Sequence, residues 1–446
     1  MPSSNPAFNF EVAIVGGGIA GVTVALGLLA RGIPFKLYER SKAFHETGAG
    51  IGMSPNSERA MLALDPRVHA VFRDLATPNT EDWFQYVDGY HNSPTAASGD
   101  GEEPLFKVYL GERGFEGCRR SDFLDGLAAL LPESCIEFNK ELTEVVEGAG
   151  GGGKTVLKFA DGTTAQADVV LGCDGLRSRV RQHILGVDNP ASTPSYSHKF
   201  AFRGLIPMNQ ARKALGEDKS STRYMHLGPG GHVLTFPVAM GKFLNVVAFT
   251  SSAEEWPSKD RLTLPATKEE AVLAFAGFGP VVTAIMGLLD ERLDKWAVFD
   301  TFDHPASTYI SQGGRVCVMG DAAHAAAPHH GAGAGFAIED AVVLAVALED
   351  AAQMLKTKAP GDSHAVDKVL QAALSAYEDV RLERTRWLVE TSRFIGELYE
   401  WQVEKCGSDS TKCVQEVFTR SHKIWDYDIE GMLEETRKLL RMKLTN

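Results

Sequence analysis

The chain has 446 residues, which is more than one typical domain, so we expect at least two. Its net charge of −13 argues against a nucleic-acid partner, and its six cysteines have no C-x-x-C spacing that would predict a disulfide framework or a zinc site. No run of about 18 apolar residues predicts a membrane span, and the first residues lack the basic and apolar regions of a signal peptide. We therefore expect a cytoplasmic protein.

The first predicted unit is strand, helix and strand. It has an apolar strand, a glycine-rich turn, an Ala- and Leu-rich helix and a second strand, over residues 10–15, 16–21, 22–30 and 35–38. Gly16 permits the tight turn, Gly18 lets the backbone approach a pyrophosphate, and Gly21 lets the helix pack close to the strand. Glu39 follows the second strand, where it can accept hydrogen bonds from an adenosine ribose. The unit predicts dinucleotide binding.

The next part of the chain alternates loops with short elements. We predict a glycine-rich connection, a helix, an exposed loop, a second helix and a hairpin around Asp161-Gly162, over residues 41–66, 55–64, 91–104, 119–131 and 155–171. The motif D-G-L-R-S-R-V-R then occupies residues 174–181 and follows an apolar run, so it lies at the end of a strand. Alone it predicts a turn and a helix start, whose basic residues form a solvated face.

Residues 185–300 have a different pattern. Strands over 224–227 and 232–237 flank a glycine-rich turn, and another strand is predicted over 244–249. We expect an antiparallel sheet with the substrate between two domains. Residues 366–403 predict a long helix with Arg381, Arg384 and Arg386 on a salt-bridged surface, and an amphipathic tail helix over about 429–442 is expected to dock on the body or on a second subunit.

A third motif begins with the apolar run at 316–319. This strand delivers Gly320-Asp321 at its end, where open α/β sheets bind ligands, and a helix is predicted from about Phe336. His324, His329 and His330 are close in sequence, but no paired acids or thiols complete a metal site. We expect no metal and a structural role for His324, bonded to a backbone group. His329 or His330 is a candidate to line the substrate pocket or to act as a base.

Together, the three motifs resemble those of the group A flavoprotein aromatic hydroxylases, the para-hydroxybenzoate hydroxylase superfamily, over about residues 10–395. That family has G-x-G-x-x-G, then D-G-x-x-S-x-V-R, then G-D-A-A-H-x-x-x-P, and all occur here in order. The fold expected is α/β plus β: a Rossmann-like FAD-binding domain, an antiparallel-sheet substrate domain and C-terminal helices. We expect the FAD-binding domain over 1–80, 105–184 and 301–395, the substrate domain over 81–104 and 185–300, and the helical tail over 396–446.

The resemblance implies bound FAD, with NADPH or NADH as reductant. It implies that Asp174 serves both FAD and NAD(P)H, that Asp321 binds the ribityl chain and that Arg120 contacts FAD. The candidate cofactor residues are Gly16, Gly18, Gly21, Glu39, Arg40, Gly52, Arg120, Asp174, Asp321 and Ala334. The family's usual glutamine between the late glycines is Ala332 here, so its contact is lost.

Two branches of the family are similar to this chain. Residues 83–89, 328–335 and 421–428 are similar to salicylate hydroxylases, whereas 114–120 and 197–206 resemble fungal enzymes that oxidatively dearomatise polyketide phenols in secondary metabolism. In the latter, an arginine matching Arg203 holds the phenolate, and an assisting tyrosine would fall at Phe236. The candidate substrate residues are Arg203, Phe236 and Tyr224, and the candidate catalytic residues are Arg203, His329 and His330.

The implied activity is an FAD- and NAD(P)H-dependent monooxygenase. Oxygen would react with reduced FAD to give a C4a-hydroperoxyflavin that hydroxylates a small phenol, with decarboxylation or with dearomatisation according to the substrate. The alternatives are an FAD-dependent dehydrogenase or reductase on the same fold, and a non-catalytic nucleotide-binding protein. We expect a monomer or a homodimer.

Overall fold

The structure is a computed structural model that describes residues 10–44, 50–93, 101–148, 153–258, 261–357 and 362–445. The strands are β1 (Val12–Val15), β2 (Phe35–Tyr38), β3 (Gly50–Met53), β4 (Trp83–Asp88), β5 (Glu103–Tyr109), β6 (Glu116–Arg119), β7 (Ile136–Glu137), β8 (Leu142–Val146), β9 (Thr155–Phe159), β10 (Thr164–Ala167), β11 (Val169–Gly172), β12 (Ser195–Pro207), β13 (Tyr224–Gly228), β14 (Gly231–Val238), β15 (Phe243–Ser251), β16 (Thr263–Thr267), β17 (Arg292–Asp300) and β18 (Val316–Val318). The helices are α1 (Ile19–Ala30), α2 (Pro55–Leu64), α3 (Pro66–Leu75), α4 (Arg120–Ala128), α5 (Arg179–Leu185), α6 (Met208–Ser221), α7 (Lys268–Ala274), α8 (Pro280–Gly287), α9 (Asp321–His324), α10 (Gly333–Leu355), α11 (Ser363–Tyr399), α12 (Ser410–Trp425) and α13 (Ile429–Thr445).

A parallel sheet of five strands, in the order β18-β11-β1-β2-β7, carries the predicted motifs. All residues of β1 and β11 are buried, because these short apolar strands lie at the centre of the sheet. Helices α1 and α10 and the small sheet of β8, β9 and β10 contribute side chains to the same apolar core. Since the strands are parallel, the chain leaves β1, β11 and β18 at one edge, and each of the three motifs follows one of these strands.

A second sheet of eight strands has the order β16-β17-β12-β15-β14-β13-β4-β5. Its pairs are antiparallel except for β13 and β4, which are parallel. The predicted hairpin is confirmed, since Tyr224 on β13 pairs with Thr235 on β14. The exposed loop predicted over 91–104 is wrong in part, because Glu102 is buried and β5 begins at Glu103; residues 94–100 lie outside the described residues. The expected domain boundary at 104 falls within β5.

Two other predicted segments have a different secondary structure from the one expected. Residues 163–171 are not one hairpin strand, because β10 pairs with β9 and ends at Ala167, whereas β11 begins at Val169 and joins the parallel sheet. The glycine-rich connection contains a strand, since β3 pairs with β6 from Gly50 to Met53; residues 45–49 lie outside the described residues. Glycine is depleted in strands, so propensity alone favoured a loop there.

The helices mostly follow the predicted periodicity. Helix α2 has the predicted bounds, α1 and α10 each begin three residues before the predicted start, and α4 ends at Ala128 rather than at Leu131. The tail helix α13 docks on the body, where Ile429, Met432, Leu433 and Leu440 enter the main core. Helix α11 continues to Tyr399, across the expected boundary between 395 and 396.

The basic surface expected on α11 is wrong for two of its three arginines. Arg381 and Arg384 are buried, and both donate to Glu339 on α10. Arg381 Nε also donates to Asp340 Oδ1 at 2.7 Å. A buried arginine is tolerated when carboxylates and carbonyls accept its donors, so these residues join α10 to α11 instead of facing solvent. Arg386 is partly buried and donates to the Ala306 carbonyl.

Candidate functional site

The first motif forms the turn between β1 and α1. Gly16 has a φ of 105°, which favours glycine, and a Cβ there would lie 2.4 Å from the Cys173 carbonyl oxygen. A Cβ on Gly21 would lie 1.9 Å from the Gly16 carbonyl oxygen, so only glycine lets α1 start this close to the strand. A Cβ on Gly18 would meet no atom within 4 Å, so open space adjoins this part of the turn.

Glu39 lies beside the same turn. Its Oε2 accepts a hydrogen bond from Gly17 N at 2.6 Å, and its Oε1 accepts one from Ser41 N at 2.8 Å. Each carboxylate oxygen has a second lone pair. The side chain is therefore fixed in place and still able to accept bonds from ribose hydroxyls.

The middle motif is held by its own hydrogen bonds. Asp174 accepts from the Ser178 hydroxyl at 2.5 Å and from the backbone N–H groups of Arg179 and Val180 at 2.7 and 3.2 Å. Burial raises the pKa of Asp174, although these hydrogen bonds act in the opposite direction. This carboxylate thus caps the start of α5 as well as facing the motif's loop.

The prediction that the basic residues of this motif form a solvated face is wrong for Arg181. It is fully buried and donates to the carbonyl oxygens of Ser192, Asp321 and Ala322 at 3.1, 3.3 and 3.1 Å. Burial lowers its pKa to about 10. Arg181 therefore ties the middle motif to the late one, which the sequence did not indicate.

The late motif presents Asp321 at the start of the short helix α9, where its side chain is exposed. His324 is buried, and its Nε2 lies 2.6 Å from Asp340 Oδ2, which also accepts from Gly320 N at 2.9 Å. The structural role expected for His324 agrees with this placement, but its partner is a carboxylate and not a backbone group. Asp340 in turn anchors Arg381, so the motif is braced by the network between α10 and α11.

The three motifs line one cavity of about 700 Å³. Of the candidate cofactor residues, it brings together Gly16, Gly18, Glu39, Arg40, Arg120, Asp174, Asp321 and Ala334. Gly21 does not line it and serves helix packing, and Gly52 lies in β3, where a Cβ would be 2.4 Å from the Phe115 ring. The start of α1 and the start of α10 both face the cavity.

This donor and acceptor set fits FAD. Backbone N–H groups at two helix starts suit a pyrophosphate and a flavin oxygen, the carboxylates of Glu39 and Asp321 suit ribose and ribityl hydroxyls, and Arg40 and Arg120 supply positive charge. The open space beside Gly18 lets a ligand approach the backbone.

The eight-stranded sheet places two of the three candidate substrate residues on one face. Arg203 pairs with Val247, which pairs with Leu234, and Phe236 lies two residues beyond Leu234 on the same strand. Paired residues share a face, and so do residues two apart. Tyr224 pairs with Thr235, the neighbour of Phe236, so Tyr224 lies on the opposite face. The structure therefore separates Tyr224 from Arg203 and Phe236.

The two residues on this face have different surroundings. Phe236 is buried and packs against the β3–β6 ribbon, with its ring 6.5 Å from the Phe115 ring. Arg203 is partly buried and lies over the Trp296 ring at 4.9 Å. Its Nε has no hydrogen-bond partner among the residues that the structure describes. Burial lowers the pKa of Arg203 to about 10, and the Arg120 charge acts in the same direction.

The two candidate histidines lie in a short turn between α9 and α10. His329 is buried, neither ring nitrogen has a partner within the described part of the chain, and its ring lies 4.7 Å from that of Phe249. His330 Nε2 lies 3.3 Å from Thr391 Oγ1 on α11. Burial lowers the pKa of both histidines, to about 3 for His330, where the Arg420 charge adds to the effect.

Two polar residues on the sheet face were missed by sequence reasoning. Asn245 pairs with Phe236 and accepts from Gly50 N at 2.9 Å, and His232 pairs with Phe249 beside His329. Polar residues within an otherwise apolar strand were the available signal. In the ranges described, no cluster of three or more His, Cys, Asp or Glu residues is arranged to hold a metal ion, and none of the helices is long and apolar enough to cross a membrane.

Comparison with known proteins identifies the class. Residues 122–365 match the FAD binding domain family. The chain is 57% identical to an FAD-dependent monooxygenase of Monascus ruber over 97% of both chains, and 54% identical to one of Aspergillus niger over 98% of both. The chain belongs to the FAD-dependent monooxygenases. Its cofactor is therefore FAD, with oxygen and reduced nicotinamide as co-substrates, and the alternative of a dehydrogenase or reductase is not favoured.

Solved structures agree with the monooxygenase fold. The chain is similar to a salicylate hydroxylase solved with substrate, at 31% identity and a TM-score of 0.80, covering 96% of this chain and 98% of that one. A curated salicylate hydroxylase of Sarocladium schorii is 38% identical over 97% of this chain and 92% of its own. The resemblance stated from the three motifs is confirmed, and so is the α/β plus β fold class.

Proposed function

We propose that this monooxygenase hydroxylates a phenolic aromatic compound that binds between the Arg203 face of the eight-stranded sheet and the FAD cavity. The observation that carries the proposal is Arg203 itself, a partly buried guanidinium whose Nε lacks a hydrogen-bond partner in the described chain. A phenolate or carboxylate would accept its hydrogen bonds and offset the charge that burial disfavours. Trp296 supports the guanidinium from one side.

Arg120 supports this location for the substrate. It lines the FAD cavity, and its charge acts on Arg203, so the two guanidinium groups lie within electrostatic reach of each other. A substrate oxygen at Arg203 would therefore lie near the cofactor. FAD, when bound, supplies the transfer of reducing equivalents from NAD(P)H to oxygen. The protein's part is to bind the phenol as an anion, to orient its ring and to exclude water.

The type of hydroxylation depends on the ring substituent. Similarity to salicylate hydroxylases favours attack at a carboxyl-bearing carbon with loss of carbon dioxide, whereas the segment around Arg203 resembles fungal enzymes that dearomatise polyketide phenols of secondary metabolism. Phe236 lacks the hydroxyl of the tyrosine in those relatives. We propose that Arg203 is the principal anion donor, and that Phe236 shapes the apolar wall.

Three further properties belong to this proposal. We propose that the two sheets define a FAD part and a substrate part of the chain, that the enzyme works in the cytoplasm and that it is a monomer or a homodimer. All six cysteines are free, which suits a reducing compartment. Light scattering of the FAD-loaded enzyme would measure its mass in solution.

A panel of phenols tests the function. The purified, FAD-loaded enzyme is mixed with NADH or NADPH and with salicylate, 2,4-dihydroxybenzaldehyde or its 3-methyl derivative, in which the methyl-bearing carbon is ortho to both hydroxyls. We expect at least one phenol to stimulate NAD(P)H oxidation and to give a product with one added oxygen atom. Catechol from salicylate would indicate decarboxylation, and a ketol would indicate dearomatisation. Oxidation of NAD(P)H that needs neither oxygen nor a phenol would overturn the proposal.

The Arg203→Ala variant tests the anion site. A charge-assisted hydrogen bond contributes about 1.5–3 kcal/mol, so kcat/KM should fall at least about tenfold. FAD content should stay unchanged, and more NAD(P)H should be oxidised without product. Arg292→Ala, at an exposed position on the neighbouring strand β17, is the control. Wild-type turnover and coupling in Arg203→Ala would show that the substrate anion binds elsewhere.

A further inference from the structure

A buried charge cluster, formed by Lys199, His232, Glu397 and Glu400, lies where the end of α11 covers the Arg203 face of the sheet. His232 Nδ1 lies 3.1 Å from Glu400 Oε1, and the Lys199 ammonium pairs with Glu400 Oε2. Lys199 Nζ is also 3.2 Å from Glu397 Oε1. Lys199, His232 and Glu400 are buried, whereas Glu397 is partly exposed.

His232 is on the substrate side of the sheet. It pairs with Phe249, which pairs with Ala201, and Ala201 lies two residues before Arg203 on β12. The four side chains therefore share one face. The cluster stands beside the proposed phenol site and is separate from the FAD cavity, whose lining contains none of its members.

Glu400 determines which nitrogen of His232 carries the proton. Burial would raise the pKa of Glu400, but the hydrogen bond from His232 and the Lys199 charge lower it to about 2. An ionised carboxylate only accepts hydrogen bonds, so His232 Nδ1 is the donor and Nε2 keeps its lone pair. Nε2 is buried and has no hydrogen-bond partner among the described residues. Glu400 thus orients a base, as a carboxylate does in other carboxylate–histidine pairs.

The negative charge of the cluster offsets part of the cost of placing a proton on the buried His232. With His232 neutral, one ammonium faces two carboxylates, and the cluster carries a net charge of about −1. Burial, with the Lys199 charge, holds the pKa of His232 below its usual value, although Glu400 and Glu397 act in the opposite direction. Protonation at Nε2 would make the cluster neutral.

A second imidazole adjoins the first. The His329 ring lies 5.1 Å from that of His232, and both nitrogens of His329 are without partners in the part of the chain described. The Tyr399 ring, on α11, also lies beside His232, 5.3 Å from its ring, and the His330 charge acts on His329. Three imidazole nitrogens in one buried place thus lack hydrogen bonds from the residues that the structure describes. Such groups are costly to leave unpaired, so a hydroxyl or water between the rings would satisfy them.

We propose that His232 accepts the proton of the substrate phenol, through a hydroxyl or water held between His232 and His329. The phenolic O–H bond breaks, an N–H bond forms at His232 Nε2, and no electrons are transferred. The imidazolium pairs with Glu400, and the phenolate pairs with Arg203. This inference rests on the proposed function. His329 acts in it as a positioning residue.

Proton counting tests the inference without any variant. The FAD-loaded enzyme is mixed with 2,4-dihydroxybenzaldehyde at pH 6 in unbuffered solution, without NAD(P)H. Phenolate formation is followed by absorbance and proton release by a pH electrode. We expect the phenolate to form while about zero protons reach the solvent, because His232 retains the proton. Release of about one proton per phenolate would overturn the inference but leave the phenol site intact. The absence of any phenolate band would instead overturn the proposed phenolate site at Arg203, and this inference with it.

A matched pair of variants locates the acceptor. His232→Gln keeps a donor to Glu400 but removes the proton acceptor. The control is His226→Gln, because His226 Nδ1 lies 2.5 Å from Glu102 Oε1 in another buried carboxylate pair, on the opposite face of the same sheet. We expect His232→Gln to release about one proton per bound phenolate and to lower kcat at least about tenfold. His226→Gln should retain the proton as the wild type does, and equal behaviour of the two variants would contradict the assignment. Wild-type proton counting decides the matter if either variant fails to fold.

Discussion

At the turn after β1, the Glu39 carboxylate accepts hydrogen bonds from the N–H groups of Gly17 and Ser41. The same oxygens are proposed to accept from the FAD ribose. Glu39→Gln removes the charge and one oxygen acceptor, so we expect the Kd for FAD to rise about tenfold. Flavin fluorescence titration of the apoenzyme measures this. Glu133→Gln, at an exposed position, is the control, and an unchanged Kd in Glu39→Gln would place the ribose elsewhere.

His330 should make the folded state sensitive to acid. Burial, with the Arg420 charge, lowers its pKa to about 3, whereas a histidine in the unfolded chain titrates near 6.5. Between these values the unfolded state binds one more proton, so stability decreases as the pH falls. The loss is about 2 kcal/mol between pH 6.5 and 5. Burial also lowers the pKa values of His232 and His329, which act in the same direction.

Urea unfolding at pH 7 and pH 5 measures this dependence. We expect His330→Gln to lose less stability on acidification than the wild type does. His198→Gln, at an exposed position, controls for the removal of a histidine. An identical pH slope in His330→Gln and the wild type would mean that His330 binds protons equally in the folded and unfolded states, and that its pKa is not lowered by folding.

The sequence alone identified the site residues whose role depends on local spacing. Glu39 and Asp321 end apolar strands, and their position on the cavity follows from that alone. Arg181 and Arg381 looked like surface cations because their acceptors are remote in sequence: Arg181 donates to a carbonyl 140 residues away, and Arg381 to a carboxylate 41 residues away. Such partners become known only when the chain is folded.

Among the elements, the tail helix α13 tests how far the C-terminal residues stabilise the body. Leu433 is buried in the main core, whereas Met442 on the same helix is about half exposed. Leu433→Ala leaves a cavity, so the free energy of unfolding should fall by about 2–5 kcal/mol. Met442→Ala should change it by less than about 0.5 kcal/mol. Urea unfolding compares the two, and equal effects would mean that α13 does not dock in solution.

Element type was predicted better than element partnership. The alternating stretch 163–171 was predicted as one strand of a hairpin, but its two halves join different sheets, because period-2 patterning does not specify a neighbour. The start of strand β5 was assigned to a loop because residues 91–104 are rich in serine, glycine and acidic residues, although Glu102 beside the strand is buried with Lys219 and His226. When acidic residues are buried in ion pairs, composition alone does not distinguish a strand from an exposed loop.

For the whole molecule, FAD should act as a stabilising ligand that is held without a covalent bond. Acid precipitation should release all of the flavin into the supernatant, since no attachment motif is evident in the sequence. Returning FAD to the apoenzyme at about 100 times its Kd should stabilise the fold by about 2.7 kcal/mol, seen as a higher Tm. Yellow colour that stays with the precipitated protein would contradict this, and so would a Tm that does not change when FAD is added.

The strand order β18-β11-β1-β2-β7 has a consequence for synthesis on the ribosome. β1 is made first and lies at the centre, yet its neighbour β11 begins at Val169 and the outer strand β18 begins at Val316. At about 5–20 residues per second, roughly 15–60 s pass between the emergence of β1 and that of β18. Until β11 emerges, β1 can pair with β2 on one side only, and until β18 emerges the outer side of β11 stays unpaired. We therefore expect chaperones to bind the nascent chain early, and folding of the FAD cavity to be completed only late in translation.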